Sequence, residues 1–213
     1  ASSRGSSSGS RGLMFIELAD HLRCPEPHDE QFLVLLPDEM HDRSVRTGQL
    51  GCPVCNRTFD IVDGVFDVGG AAPASPAPTA LSADAVAVLA GLGGPGGYMV
   101  LAGSVAGLAE SVALAIPRVG IVAFNPGAAL RDDGAVSVIR GAQLPIKSSS
   151  MRSVVLGPGY ADDPAWIAEA LRVTLSGLRI VGEGADPASS DLEILASAGG
   201  CWVGSKLRNR MKA

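Results

Sequence analysis

Aromatic residues are scarce in this 213-residue chain, with phenylalanine, tyrosine and tryptophan together at 4%. That scarcity argues against a surface that stacks bases. The net charge of −5 removes the basic excess that non-specific nucleic-acid binding requires. No apolar run approaches the roughly 20 residues needed to cross a bilayer. The opening "ASSRGSSSGSRG" is followed by no apolar signal core, so no secretory leader is expected. The three histidines, His21, His28 and His41, all lie near the N-terminus, which leaves the rest of the chain without a Ser-His-Asp or Cys-His nucleophile arrangement. No phosphate-binding P-loop is present either. Disulfides are also not expected. Three of the four cysteines cluster with a histidine, a pattern that suits metal binding in a reducing, cytoplasmic setting.

What the chain does have is 46% hydrophobic residues, mostly alanine, valine and leucine, together with 27 glycines. These suit close packing of helices on a sheet. Composition divides the chain into a Ser/Gly/Arg arm (1–12), a β-rich unit (13–68), a Pro/Ala linker (69–80), an α/β unit (81–206) and a basic tail (207–213). In the first unit, 13–22 is a short amphipathic stretch, and 31–36, 57–62 and 64–68 read as strands. In the second, strands are expected at 97–102, 118–124, 135–139, 152–157, 178–183 and 200–206. Helices are expected at 81–92, 105–116, 163–175 and 190–198. Continuous apolar strands alternating with helices predict a Rossmann-like, mostly parallel, doubly wound sheet covered on both faces.

"CPEPH" at 24–28 and "GCPVC" at 51–55 supply the metal candidates. A tetrahedral site takes four soft or borderline ligands from two short turns. Cys52 and Cys55 form one turn, Cys24 and His28 the other, and a site closed by four protein ligands is structural. Three readings stay open at this point: a structural Cys24, His28, Cys52, Cys55 zinc set, a ribbon that has lost its metal and leaves His28 on the surface, or a catalytic metal. His21 and His41 read as polar surface, and Cys201 as a buried structural thiol.

The stretch 18–68, with Cys52-x-x-Cys55, Phe59, Ile61 and the turn Asp63-Gly64-Val65, resembles the small zinc-ribbon family that includes the activator of tRNA and protein methyltransferases. It departs from that pattern where Pro27 takes a cysteine position and His28 follows. From residue 97 onward, "VLAGSVAGLA", "RGAQLPIKSSSMRSVVLG" and "WIAEALRVTLSGLRIVGEG" resemble a class I S-adenosylmethionine-dependent methyltransferase. That resemblance implies a cofactor held by a glycine-rich turn, by an acid ending the second strand and by an acid near the adenine. Here Gly103 and Gly107 remain, but Val105 takes the central glycine position, where positive φ would be strained. Asn125, after Phe124, stands at the ribose position, and Arg140-Gly141-Ala142 at the adenine position. Each unpaired polar group costs about 1–3 kcal/mol, so the set Gly103, Gly107 and Asn125 reads as vestigial. S-adenosylmethionine is not expected to bind, and no catalytic residue is assigned. In "GPGYADD", Tyr160, Asp162 and Asp163 are open to acid/base work or to a capped turn before a helix.

Three functions compete. One is a zinc ribbon with a non-catalytic methyltransferase-like unit, serving as accessory subunit of a larger protein assembly. Its partner contacts would come from the arm (Arg4, Arg11) and from the tail (Lys206, Arg208, Arg210, Lys212). The second is an active methyltransferase with atypical cofactor contacts. The third, an RNA- or nucleotide-binding module, is opposed by the acidic balance and the few aromatics.

Overall fold

The computed structural model describes residues 14–73, 77–127, 130 and 136–208. The arm and the end of the tail lie outside these residues, as does most of the segment between the second and third strands of the α/β unit.

The N-terminal unit begins with β1 (Met14–Phe15) and a 3-10 turn (Ile16–His21) that buries Leu18. Strands β2 (Val34–His41), β3 (Ser44–Gly51), β4 (Thr58–Val62) and β5 (Val65–Asp67) follow as antiparallel neighbours. Asp63 and Gly64 have φ of 50° and 72°, the two left-handed residues that a tight hairpin demands between β4 and β5. The strand expected at 31–36 starts later and runs to His41, and β3 was not expected at all. Its "SVRTGQLG" mixes polar and small residues, so its burial comes from neighbours on both sides rather than from its own pattern.

The α/β unit comprises α1 (Ala83–Ala90), β6 (Tyr98–Ala102), a 3-10 turn (Gly103–Leu108) leading into α2 (Ala109–Ala115), β7 (Gly120–Phe124) and β8 (Val136–Arg140). It continues with β9 (Ser153–Leu156), α3 (Pro164–Val173), β10 (Arg179–Glu183), β11 (Leu192–Ala198) and β12 (Cys201–Lys206). Ser82 caps α1 through its hydroxyl, and Asp163 caps α3 with Pro164 in its first turn.

The helix expected at 190–198 is instead strand β11. Gly199 and Gly200, at φ of 61° and 75°, fold it back on β12 as an antiparallel hairpin. An apolar-rich seven-residue run suits either state, and the otherwise unpaired side of β12 decides it. The hairpin packs closely because Gly182 makes room for the Trp202 ring and Gly204 for Leu192.

The strands form one sheet in the order β1-β3-β4-β5-β8-β7-β6-β9-β10-β12-β11, with β2 on the outer side of β3. From β5 to β10 every pairing is parallel. The α/β unit is thus a mostly parallel, doubly wound sheet whose order reverses at β6. One face packs α1 and α2 over Met99, Leu101, Ile121 and Val155. The other packs α3 over Val154, Leu156 and Ile180, and this core runs without a break into Leu50, Phe59, Ile61 and Phe66 of the N-terminal unit.

Two seams join the units. β5 lies parallel to β8, with Val65, Phe66 and Asp67 opposite Val138, Ile139 and Arg140. A second seam binds the 20–30 segment to 145–148: Arg23 N donates to Pro145 O, Lys147 N to His21 O, and Ser148 N and Oγ to the Glu30 carboxylate. The linker is tied down too, because the buried Glu183 carboxylate accepts from Ala80 N and Thr79 Oγ1. No described helix is long and apolar enough to cross a membrane.

Phe66 is fully buried on the connecting strand and packs edge-to-face with Phe59. Phe66→Ala should destabilise the fold by about 3–5 kcal/mol. Both tryptophans lie in the α/β unit, so urea unfolding followed by their fluorescence tests the coupling. A midpoint that moves with the far-ultraviolet dichroism signal is expected, and an unmoved tryptophan midpoint would show that the two units unfold separately.

Candidate functional site

The two knuckles meet at the end of the N-terminal unit. Cys52 N donates to Arg57 O and Asn56 N to Cys52 O, with Asn56 at φ 57°, so the Cys52–Cys55 turn closes on itself. Cys24 N donates to Gln31 O across the other loop, and an ion pair between Glu26 and Arg57 at 3.3 Å ties the loops together. The ligand atoms of Cys24, His28, Cys52 and Cys55 all lie within 4.8 Å of one another, with Cys24 and Cys52 buried.

The separations have a chemical meaning. With Zn–S near 2.3 Å and Zn–N near 2.0 Å, a tetrahedron has S···S edges of about 3.8 Å and S···N edges of about 3.5 Å. Cys24 Sγ lies 3.7 Å from Cys55 Sγ, and His28 Nε2 lies 3.5 Å from Cys52 Sγ. The other ring nitrogen, His28 Nδ1, is 2.7 Å from the Asp29 carbonyl. A carbonyl there accepts an N–H from Nδ1 and leaves Nε2 free to ligate. Burial pushes the Cys24 thiol up to about 12. Burial acts the same way on Cys52, but N–H groups of Cys55 and Val54 aimed at its sulfur outweigh it and bring that thiol down to about 6. The donor set, spacing and orientation fit a zinc ion with no protein position left open. His21 is half-buried with its ring against Tyr98 at 5.1 Å, and burial lowers its pKa; His41 is exposed beside Asp42. Neither joins the cluster. Cys201 is half-buried on β12, a correction to the expected core thiol, because β12 shares that side with the less crowded β11 hairpin.

The second location is the C-terminal edge of the parallel strands where the order reverses, the place in doubly wound sheets where ligands sit. Gly103 leaves β6 at φ 79°, so the left-handed residue of the turn is a glycine after all. Val105 occupies the following 3-10 turn and is fully buried, without the strain its position in the sequence suggests. Gly107 is exposed in the same turn. The loops after β6 and β9 touch directly: Gly157 N donates to Ala102 O at 3.0 Å, and a side chain at Gly157 would crowd Ser104 Oγ and Val105 N.

Asn125, at φ 49°, spans the ends of β7 and β8. Its Oδ1 accepts from Gly141 N at 3.0 Å, while its Nδ2 donates to Gly141 O at 2.8 Å and to Tyr160 Oη at 3.1 Å. Tyr160 is fully buried against Trp166 at 4.7 Å, and Trp166 in turn lies 5.4 Å from Phe124. Burial raises the Tyr160 pKa, opposed by its bond from Asn125. Asp162 accepts from Ala185 N and Asp163 from Ala165 N, so "GPGYADD" is a turn and helix cap. Sequence reading missed the Asn125–Gly141–Tyr160 network and the aromatic trio. Neither has a local signal, since the partners are 16 and 35 residues away.

No protein-family model matches the chain, and no curated protein matches it significantly in sequence. Solved structures give weak likenesses. A geranyl diphosphate methyltransferase, determined with GPP and sinefungin, is 19% identical over 47% of this chain and 42% of its own, with a TM-score of 0.40. A complex of the Haloferax volcanii Trm112 methyltransferase activator with a candidate methyltransferase gives 18%, 47%, 50% and 0.39. A methyltransferase from Geobacter sulfurreducens gives 12%, 58%, 74% and 0.39. The chain spans half or less of the first two.

Asn125→Ala would leave the Gly141 N–H and C=O without partners, costing about 1–3 kcal/mol for each buried group. Tyr160→Phe would remove one hydroxyl bond and cost about 1 kcal/mol. Chemical denaturation of both variants measures this. Costs near zero would mean that the network is open to water and not a closed core.

Proposed function

We propose that the chain is a non-catalytic accessory protein, a zinc ribbon built into the edge of a methyltransferase-like unit whose cofactor crevice is taken up by its own side chains. The observation that carries this reading is the Asn125 amide. Its oxygen and nitrogen are both used on Gly141 and Tyr160, at the position where a ribose would need an acceptor. The contact between the Gly103–Val105 turn and Gly157 supports the same view, as do Phe124, Tyr160 and Trp166 filling the adjoining core. These residues do not fit S-adenosylmethionine. Zinc, held by Cys24, His28, Cys52 and Cys55, does no chemistry on a substrate. It supplies folding free energy to two loops that have few apolar residues of their own.

Partners belong to this reading through the basic tail and the N-terminal arm, which bring cations to a body of opposite sign. A second reading, an active methyltransferase with atypical contacts, is favoured by one observation. Ser104 Oγ, at the crevice, is buried with no hydrogen-bond partner among the described residues.

Calorimetric titration with S-adenosylmethionine and its demethylated product separates the two. No heat of binding is expected up to roughly millimolar ligand, and a Kd near micromolar for either would overturn the accessory reading. Metal analysis of the purified chain should give one zinc per molecule. Cys52→Ser should lose it, and His28→Ala should bind it at least ~10-fold more weakly. Full zinc retention in both variants would remove the proposed ligand set.

A further inference from the structure

A groove of about 730 Å³ runs along the outer side of α3. One wall is the helix itself, with Ile167 and Leu171; the other is the 185–188 segment, "ADPA"; Leu207 closes the far end. Its origin is topological. The connection from β10 to β11, residues 184–191, contains no helix, so α3 stands on its side of the sheet without the neighbouring helix that a covered face would have.

The groove's lining carries both signs and leans acidic. Asp162, Asp186 and Asp191 stand around it, and among the described residues Asp162 accepts from Ala185 N and Asp186 from the Ser197 hydroxyl. Of the two cations in its wall, Arg172 is paired with Glu169 and Glu30 outside the groove, whereas Lys206 lies in the field of Asp191 and offsets it. Arg172 donates to Glu169 and to the carbonyls of Leu144 and Ile146, and Lys206 Nζ to Thr174 O and Ser149 Oγ. Ile167 belongs to the core beneath, so the apolar floor that faces outward is the half-buried Leu171 with the exposed Ala168, Ala188 and Leu207, and Asp162 and Asp186 stand at its rim. Ten residues of α3 rise about 15 Å, which matches roughly three turns of a guest helix laid alongside.

We propose that this groove docks a basic amphipathic helix of a partner protein, its apolar side on Leu171 and Leu207 and its lysines or arginines toward Asp162 and Asp186, with Asp191 shared with Lys206. The inference adds to the accessory reading a contact surface separate from the arm and tail, and rests on that reading for its biological sense. Its test involves no S-adenosylmethionine. Binding of that cofactor would remove the accessory reading and leave the groove result as it stands.

The probe is a fluorescein-labelled 14-residue peptide with leucine at helical i, i+3, i+4 and i+7 positions and lysine elsewhere, read by anisotropy against the full chain. Roughly micromolar affinity is expected. Asp186→Asn with Asp191→Asn should weaken it at least ~10-fold. Ala168→Trp, at an exposed position of the α3 wall, should do the same by filling the groove, with thermal melts confirming that each variant is folded. Asp84→Asn, on α1 at the opposite face, should change affinity less than ~2-fold. The proposal is overturned if a glutamate version of the peptide binds equally, if Asp84→Asn weakens binding as much as the groove variants, or if the lysine peptide does not bind. It is also overturned if truncation after Arg208 raises affinity ~10-fold, because the groove would then belong to the chain's own residues 209–213.

Discussion

The parallel pairing of β5 with β8 is the contact on which the rest of the architecture depends. Three residues, Val65 to Asp67, extend a parallel sheet into a β unit whose own strands are all antiparallel. Without that pairing, β8 would be a bare edge, and Phe66, Ile61 and Phe59 would lack the continuous core that now buries them. A unit of roughly fifty residues buries too little surface for much independent stability. Sharing a sheet and a core with a larger neighbour offsets that.

The second seam couples the Cys/His cluster to the α/β unit. The loop that carries Cys24 and His28 also carries Glu30, whose carboxylate receives Ser148 and lies 3.7 Å from Arg172. Arg172 in turn holds the Leu144 and Ile146 carbonyls from α3. The loop that carries two of the clustered ligands is thus hydrogen-bonded to the segment that crosses from β8 back to β9. The Glu30–Ser148 bonds are charge-assisted but exposed, and those from Arg172 to the Leu144 and Ile146 carbonyls are half-buried. The same crossing segment leads to the reversal point of the sheet. There, Asn125, Gly141 and Tyr160 are hydrogen-bonded to one another.

Much of this was legible in the residues. Unbroken apolar runs such as "YMVLA" and "GIVAF" announced buried parallel strands, and the helices expected at 81–92 and 163–175 are found at Ala83–Ala90 and Pro164–Val173. Cys-x-x-Cys with an upstream Cys and His named the four groups that the fold then gathers. The failures have physical causes. β3 has no periodic apolar face of its own, and its burial depends on strands on both sides. "LEILASA" has no intrinsic preference strong enough to choose, so a glycine pair and an open strand edge chose for it. Val105 looked strained only because the sequence does not say which residue of a turn takes the left-handed conformation, and Gly103 takes it.

By itself, then, the sequence determined most of the α/β elements, the approximate places where they start and stop, and the donor atoms of the Cys/His cluster, but not β3 or the class of β11. These follow from local propensities and from the donor atoms of a few side chains, which act within a turn or two. Only the tertiary structure decided that the two units share one sheet, that Asn125 meets Gly141 and Tyr160 at the reversal point, and that no helix of the described residues lies beside α3 on the groove side. Each of those depends on groups tens of residues apart meeting at hydrogen-bond or van der Waals distance. Pairing across such separations is set by the burial of the whole core, which no local stretch of sequence contains.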